Sequence, residues 1–340
     1  MSYQSLLFPA WTASIGFIFG AFFGSFLNMV IYRLPRGLSF VEPSRSFCPT
    51  CKHSLNSRDL MPIVSWSLAK GKCRYCAEPV ASRYFWVEVL MGSLFGAIWY
   101  CYLTLNYDPL RAGFYALMAA CLVAVIFIDW ELYIIPDELN AAILVVAIAY
   151  HAFDHSLMIA LSGGLLGWGL LFGITLLGRI GFGKDAMGDG DTKMMRGVGA
   201  LLGPWLLVGN LGIAVVAGLV GGIAGILIDK RKSLPESADA AAAEEEEAPY
   251  EPTPIPLVIF AGAMYVLCID VFALFIPPLR RYLEAKFPSE TLEEEDDWKP
   301  SATTIPFGPY LAIGALICML AAHAIEAALK AYFHVGGTSQ

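Results

Sequence analysis

The chain has 340 residues, of which 57% are hydrophobic and only 15% are charged, and its mean hydropathy is +0.61. This composition excludes an ordinary soluble domain and predicts a polytopic membrane protein whose main partner is the lipid bilayer. The net charge of −8 gives no indication of a nucleic-acid partner, because nine acidic residues lie in two short runs, 244–247 and 293–297.

Apolar runs dominate the chain, and a membrane-spanning helix needs about 20 predominantly apolar residues. We therefore expect an all-α polytopic membrane protein with about eight transmembrane helices and a small cytoplasmic zinc-binding loop domain. The eight runs are 8–31, 84–103, 112–128, 139–153, 157–180, 194–208, 211–228 and 307–329.

The first run predicts a retained transmembrane helix, domain 1–32, because no basic segment precedes it and no small-residue cleavage site follows it. The loop after it is strongly basic, which predicts a cytoplasmic loop and an N-terminus on the opposite side. Alternation of the helices then puts loops 130–138, 181–193 and 229–232 on the cytoplasmic side. The basic residues of the first loop are Arg33, Arg36, Arg45, Lys52, Arg58, Lys70, Lys72, Arg74 and Arg83.

Domain 33–83 contains two CxxC pairs, Cys48 with Cys51 and Cys73 with Cys76, with 21 residues between the pairs. This spacing is typical of a tetrahedral zinc site, and four thiolates leave no position for a catalytic water, so the expected zinc is structural. Two disulfides or free thiols are the alternatives, and a reducing cytoplasm disfavours the disulfides. His53 is expected at the surface or beside the site. We assign no role to Cys101, Cys121, Cys268 and Cys318.

The core 84–232 carries two acids at its cytoplasmic edge. Asp129 directly follows an apolar run, and Asp191 closes the segment "GDGD" about one turn before another run begins. Ionisable groups in membrane segments are costly and are functional candidates by default. Two neighbouring carboxylates can share a proton and divide acid and base chemistry around one water, as in aspartic proteases. Helix capping is the alternative: it suits Asp189 and Asp137, and Asp191 could also cap a helix.

Four further residues are candidates for supporting roles in this site. Gly188 and Gly190 would let the backbone turn sharply and approach a substrate strand, because glycine tolerates positive φ. Lys193 would steady the local charge or a carbonyl. Glu88 would pair with a basic residue or line the same cavity.

Several segments together resemble the bacterial type IV prepilin peptidases, the leader peptidases and N-methyltransferases of pilus assembly and type II secretion. They are "GAFFGSFLNMVIYRLPRG", "CPTCKHSLNSRDLMPIVSWSLAKGKCRYCAEPVASRYFWVE", "FIDWELYIIPDELN", "GDGDTKMMRGVGALLG" and "IPFGPYLAIGALI". They occur in the family's order and cover nearly the whole chain outside 233–304.

The resemblance implies a membrane aspartic protease of the GxGD class in which Asp129 and Asp191 are catalytic. Asp137 competes for the first role, but its spacing from Asp191 is shorter than the family's interval. The implied substrates are prepilins or pseudopilins, cleaved at the cytoplasmic face of the bacterial inner membrane. The resemblance also implies N-methylation of the new N-terminal residue from S-adenosylmethionine. No glycine-rich nucleotide motif is present, so no residue is assigned to the methyl donor.

Residues 233–304 depart from the family pattern as an acidic insertion with an apolar segment, 255–276, before the last helix and tail, 305–340. Basic residues flank the segment on both sides, which favours a helix on or dipping into the cytoplasmic face over a ninth span. Two other functions stay open: a zinc-ribbon transporter or scaffold whose aspartates conduct ions or pack helices, and a peptidase without methyl transfer. The oligomeric state is not indicated.

Overall fold

The computed structural model describes residues 8–40, 46–48, 50–183, 187–232, 254–286 and 306–336. Helices account for most of these residues, and extended pairing among them is limited to two isolated bridges, Phe47 with Ser54 and Lys72 with Pro79. The predicted all-α polytopic fold is therefore confirmed. The two acidic runs, 244–247 and 293–297, lie outside the described residues.

The first half of the fold contains six α-helices among the described residues. In chain order they are α1 Ala13–Arg33, α2 Val64–Leu68, α3 Arg83–Ile98, α4 Pro109–Leu132, α5 Asp137–Phe153 and α6 Leu157–Phe182. Local sequence explains several of their ends: Pro109 fits the first turn of α4, where no backbone N–H is needed, and the Asp108 side chain caps that turn by accepting from the Arg111 N–H. Gly183 ends α6 in the left-handed conformation, at φ 69°.

The second half of the fold contains the helices α7 Asp189–Lys232, α8 Ile255–Val266, α9 Ile269–Phe275, α10 Pro277–Lys286 and α11 Gly308–Gly336. Helix α7 is interrupted at Gly203, whose φ of 70° and ψ of 172° are not helical, and Pro204 follows. This conformation suits glycine and lets the chain resume a helix at proline, which lacks a backbone N–H.

Six helices in the described residues are long and apolar enough to cross a membrane, or seven if the bent pair α8–α9 is one span. The count differs from the predicted eight for two reasons. Helix α5 has only 17 residues, and the predicted sixth and seventh helices belong to one element, α7, interrupted at Gly203 rather than near Gly209. The predicted ninth segment is not straight: α8 and α9 are bent by 71°.

The helices that carry the site pack with their backbones close together. A methyl group built on Gly163 of α6 would lie 2.1 Å from the carbonyl oxygen of Gly199 on α7. Small residues of this kind allow membrane helices to approach closely and gain van der Waals contact. Helix α7 also packs against α5 and α11, so its first turns are surrounded by neighbouring helices.

Candidate active site

Asp129 lies near the C-terminal end of α4 and is only 5% exposed. The helix ends at Leu132, and the next residue, Tyr133, is left-handed with φ 59° and donates its N–H to the Asp129 carbonyl oxygen at 3.0 Å. Positive φ is unusual for a residue with a side chain and often occurs near functional sites. The tight turn fixes the chain directly after Asp129 and leads it back towards the start of α5.

Asp191 lies in the first turn of α7 and is 8% exposed. The helix begins at Asp189, so Asp191 is inside it rather than at a capping position before it. Within the part of the chain that the structure describes, Asp191 Oδ1 has no hydrogen-bond partner. A buried carboxylate oxygen without a partner is costly in a folded protein, which is the expected arrangement if a water or a substrate completes the site.

The two carboxyl groups meet at Gly308, the first residue of α11. A methyl group built on Gly308 would lie 2.5 Å from Asp129 Oδ2 and 3.0 Å from Asp191 Oδ1. Because both distances start at one point, the two oxygens can be no further apart than their sum. The same position is 2.9 Å from Ile135 Cδ1, so this side chain forms an apolar wall beside the acids. The structure therefore brings together residues from α4, α7 and α11.

Sequence reasoning missed Gly308 as a site residue. It belongs to the "IPFGPY" segment, which entered only through the resemblance, and nothing in that segment indicates that two acids from other helices approach it. Its position also puts the N-terminus of α11 at the carboxylates, where the partial positive charge of a helix favours negative groups.

The predicted roles of Gly188 and Gly190 need a correction. Neither residue has positive φ, so conformational freedom does not explain them. A methyl group on Gly190 would lie 3.0 Å from Ile135 Cβ, and this close approach of the α7 start to the Ile135 wall is the physical reason for a small residue. A methyl group on Gly188 would meet only Asp191, at 3.4 Å.

Lys193 is 9% exposed and connects several groups at the edge of the site. Its Nζ lies 2.9 Å from Asp137 Oδ1 and 3.1 Å from Asp189 Oδ2, and it also lies over the Tyr265 ring, 4.9 Å from the centroid. Asp137, the competitor for the first catalytic role, thus has a cationic partner, and Asp189 likewise pairs with Lys193. The role of Lys193 in catalysis stays a prediction.

Glu88 lies on α3 and contacts the cysteine loop. Its Oε2 accepts a hydrogen bond from the Ile63 N–H at 2.7 Å, and the residue is 8% exposed. Ile63 has φ 64° and directly precedes α2. The described contacts of Glu88 therefore connect the loop to the membrane helices, and its predicted participation in the catalytic cavity stays a prediction.

The four predicted cysteine ligands form one cluster, in which all four Sγ atoms lie within 4.8 Å of one another. All four are free thiols, so the disulfide alternative is not adopted. The two pairs have the same backbone geometry: the residue after each pair is left-handed, Lys52 at φ 58° and Ala77 at φ 58°. Its N–H donates to the carbonyl oxygen of the first cysteine, at 2.9 Å in both pairs.

The electrostatics of this cluster suit a dication. Hydrogen bonding from the Cys51 backbone N–H lowers the pKa of Cys48 to about 7. At Cys76 the Glu78 backbone favours the thiolate, but burial and the three neighbouring thiols raise its pKa to about 12. Several thiolates at such short distances repel one another, and a bound metal removes that repulsion. The cluster could hold a metal ion. His53 stacks on Tyr75 with ring centroids 3.7 Å apart, as expected for a residue outside the ligand set.

These features define a multi-pass membrane protein with two buried aspartates at one point and a separate tetracysteine cluster. Two family models match the chain: the Bacterial Peptidase A24 N-terminal domain over residues 18–102 and the Type IV leader peptidase family over residues 116–224. The first match contains the cysteine cluster, and the second contains Asp129 and Asp191.

Curated relatives named prepilin leader peptidase/N-methyltransferase include proteins from three different bacteria. The Myxococcus xanthus protein is 31% identical over 317 residues, which cover 89% of this chain and 88% of the relative. The Klebsiella pneumoniae protein is 32% identical over 212 residues, or 58% of this chain and 91% of the relative. The Dichelobacter nodosus protein is 29% identical over 231 residues, which cover 60% of this chain and 79% of the relative. No solved structure matches.

This chain belongs to the type IV leader peptidase family. The family predicted from the resemblance is therefore confirmed, and with it the expectation of a membrane-embedded enzyme.

Proposed function

We propose that this chain cleaves the leader peptides of type IV prepilins or type II secretion pseudopilins with Asp129 and Asp191 as its catalytic dyad. It then N-methylates the new N-terminal residue. The observation that carries the peptidase assignment is the convergence of the two buried carboxyl groups at Gly308. The names of the relatives support both activities.

The two acids of the dyad share one proton, because neighbouring carboxyl groups in a site of low polarity do not both ionise. The ionised carboxylate takes a proton from a water molecule, whose oxygen bonds to the scissile carbonyl carbon. The protonated acid gives its proton to the carbonyl oxygen. When the tetrahedral intermediate collapses, the C–N bond breaks and the amine leaves with a proton from the dyad.

The substrate class agrees with the place of the site in the fold. Asp129 is near the end of one apolar helix and Asp191 is near the start of another, so the dyad lies at an edge of the membrane region. A peptide with a basic leader followed by an apolar helix would present its junction at such an edge. The basic loop 33–83 supports the cytoplasmic face of the inner membrane.

We further propose that the four cysteines hold a structural zinc ion. Tetrahedral zinc with Zn–S bonds of about 2.3 Å has sulfur atoms about 3.8 Å apart, and Cys48 Sγ lies 4.0 Å from Cys76 Sγ. Zinc bound there would join the two CxxC turns and stabilise a loop too small to form a core of its own. S-adenosylmethionine is the proposed methyl donor, and no residue is assigned to it.

The test is cleavage of a prepilin by purified protein in liposomes, with the product N-terminus and its methylation read by mass spectrometry. Asp129→Asn and Asp191→Asn should each lower the rate of leader removal by about 10³-fold or more. Asp137→Asn should retain far more activity, because Asp137 pairs with Lys193 outside the dyad. Normal processing by either dyad variant would refute the assignment, as would an Asp137 variant as inactive as the Asp129 variant.

A further inference from the structure

The insertion contacts the helix that carries Asp191. Tyr265 and Asp270, at the bend between α8 and α9, contact three residues of α7. The Tyr265 hydroxyl donates to Asp189 Oδ2 at 2.5 Å, and the Tyr265 ring lies under the Lys193 ammonium group. Arg196 donates to Asp270 Oδ1 at 3.0 Å and to Asp270 Oδ2 at 2.7 Å, and also to the Tyr265 carbonyl oxygen.

The three contacted residues lie on one face of α7, because positions i, i+4 and i+7 of a helix are aligned. At about 100° per residue, Asp191 lies about 200° around the helix from Asp189. The insertion therefore contacts the side of α7 that faces away from the dyad. We call α8 and α9 the bracket, because they hold this opposite side of the helix.

The contacts occur where α7 is least constrained by its own hydrogen bonds. Asp191 lies in the first turn, and the first four backbone N–H groups of a helix have no partner within the helix. Helix ends of this kind fray unless other groups hold them. Lys193 and Arg196 follow within the next one and a half turns, so their contacts with the bracket fix the rotation and the height of the turn that carries the catalytic acid.

The Arg196–Asp270 ion pair is buried, and its geometry suits a role in positioning α7. Its side chains are only 6% and 12% exposed, and the two hydrogen bonds are bidentate. A buried ion pair gives little net stability, because desolvation offsets the attraction, but its geometry is specific and removal of one partner is costly. Cys268, at φ 55°, makes the bend that lets Tyr265 and Asp270 reach the same helix.

We propose that the bracket is a positioning element for cleavage: Tyr265 and Asp270 hold the first two turns of α7 so that Asp191 stays against Asp129. This inference rests on the proposed dyad. Tyr265, Asp270 and Arg196 are positioning residues, since none of them lies at the point where the two carboxyl groups meet. The bracket thereby gives the insertion, which departs from the family pattern, a function in the peptidase reaction.

The experiment measures two activities of the full-length protein in liposomes: leader cleavage, as kcat and KM, and N-methylation of a pilin peptide that already has the mature N-terminus. Asp270→Asn and Tyr265→Phe should each lower kcat for cleavage by about 10- to 100-fold, as expected for a displacement of up to 1 Å. KM and the rate of methylation should stay within about twofold. Arg196→Asp combined with Asp270→Arg should recover a substantial part of the cleavage lost in Asp270→Arg alone.

Glu326→Gln is the matched control. Glu326 accepts two hydrogen bonds from Arg111, at 3.1 and 3.3 Å. Arg111 lies 18 residues before Asp129 on α4, so this pair is about 27 Å from the dyad. Its loss should leave cleavage unchanged.

Two outcomes overturn the proposal. The first is cleavage by Asp270→Asn and Tyr265→Phe at the rate of the unaltered protein. The second is a parallel fall of cleavage and methylation in these variants, which would indicate general destabilisation. Asp191→Asn, measured in the same series, distinguishes a failure of the bracket proposal from a failure of the proposed dyad. An inactive Asp191→Asn beside fully active bracket variants refutes only the bracket, whereas an active Asp191→Asn refutes the dyad itself.

Discussion

Replacement of Gly308 by alanine tests the geometry of the site with a single methyl group. That group would lie 2.5 Å from Asp129 Oδ2 and 3.0 Å from Asp191 Oδ1, and 2.9 Å from Ile135 Cδ1. Heavy atoms in favourable contact are about 3.5 Å apart, so the Asp129 carboxylate must move by about 1 Å. A displacement of this size in a catalytic group costs up to about 10²-fold in rate. We therefore expect leader cleavage to fall by about 10²-fold.

The protein should still fold, because Gly308 is the first residue of α11 and does not have positive φ, so the backbone there accepts alanine. The assay is the initial rate of prepilin cleavage in liposomes, with methylation of a mature peptide as the internal measure of folding. Gly169→Ala in α6 is the matched control, because a methyl group there would meet nothing within 4 Å. Cleavage by Gly308→Ala within about twofold of the unaltered protein would refute the placement of the two acids.

Two further predictions concern the groups around the dyad and the cysteine cluster. Lys193→Met should slow cleavage by about tenfold, because Asp137 and Asp189 lose a cation that each contacts within hydrogen-bonding distance, whereas Lys193→Arg should retain more activity; equal rates for all three proteins would contradict a supporting role. Cys73→Ser should lower bound zinc from about one ion per chain, measured by elemental analysis. A chelator should remove the ion from the unaltered protein by competing for it. Acidification should also release it, because cysteine binds zinc as the thiolate and protonation converts it to the thiol. Zinc content unaffected by Cys73→Ser would contradict the proposed ligand set.

Composition and hydropathy predict the helical membrane fold well, because spans and loops differ so strongly in polarity. They predict the number of helices less well. The interruption at Gly203 and Pro204 divides an apolar stretch without a polar loop, and the 71° bend at Cys268 divides another. Neither break needs a change of polarity, so apolar runs do not locate it, and the predicted boundary between 194–208 and 211–228 lies several residues after Gly203. The apolar runs also count 139–153 as a span, although α5 has only 17 residues.

The acids and the cysteines were accessible from the sequence because each stands out chemically: Asp129 and Asp191 beside apolar runs, and the cysteines by their spacing. Gly308 was not recognisable from the sequence, because its importance comes from two side chains of other helices that approach it. The contacts of Tyr265 and Asp270 with α7 are equally non-local. A pairing of Arg196 with Asp270 across 74 residues has no local signal in one sequence.

The positions Gly188 and Gly190 illustrate a different limit. The sequence suggested positive φ as the reason for both glycines, and neither residue has it. The observed reason at Gly190 is the closeness of Ile135. A glycine that serves a turn and a glycine that admits a neighbouring side chain look the same in a sequence, and only the packing separates them.

The most direct test of the shared catalytic site is a double-mutant cycle on single-turnover cleavage, with Asp129→Asn, Asp191→Asn and the double variant. Residues that act as one unit lose nearly all of their joint contribution when either is removed. Each single variant should therefore be at least about 10³-fold slower than the unaltered protein, and the double variant should be no slower than the singles. Losses that multiply in the double variant, or a single variant that keeps about a tenth of the rate, would contradict a dyad formed by Asp129 and Asp191.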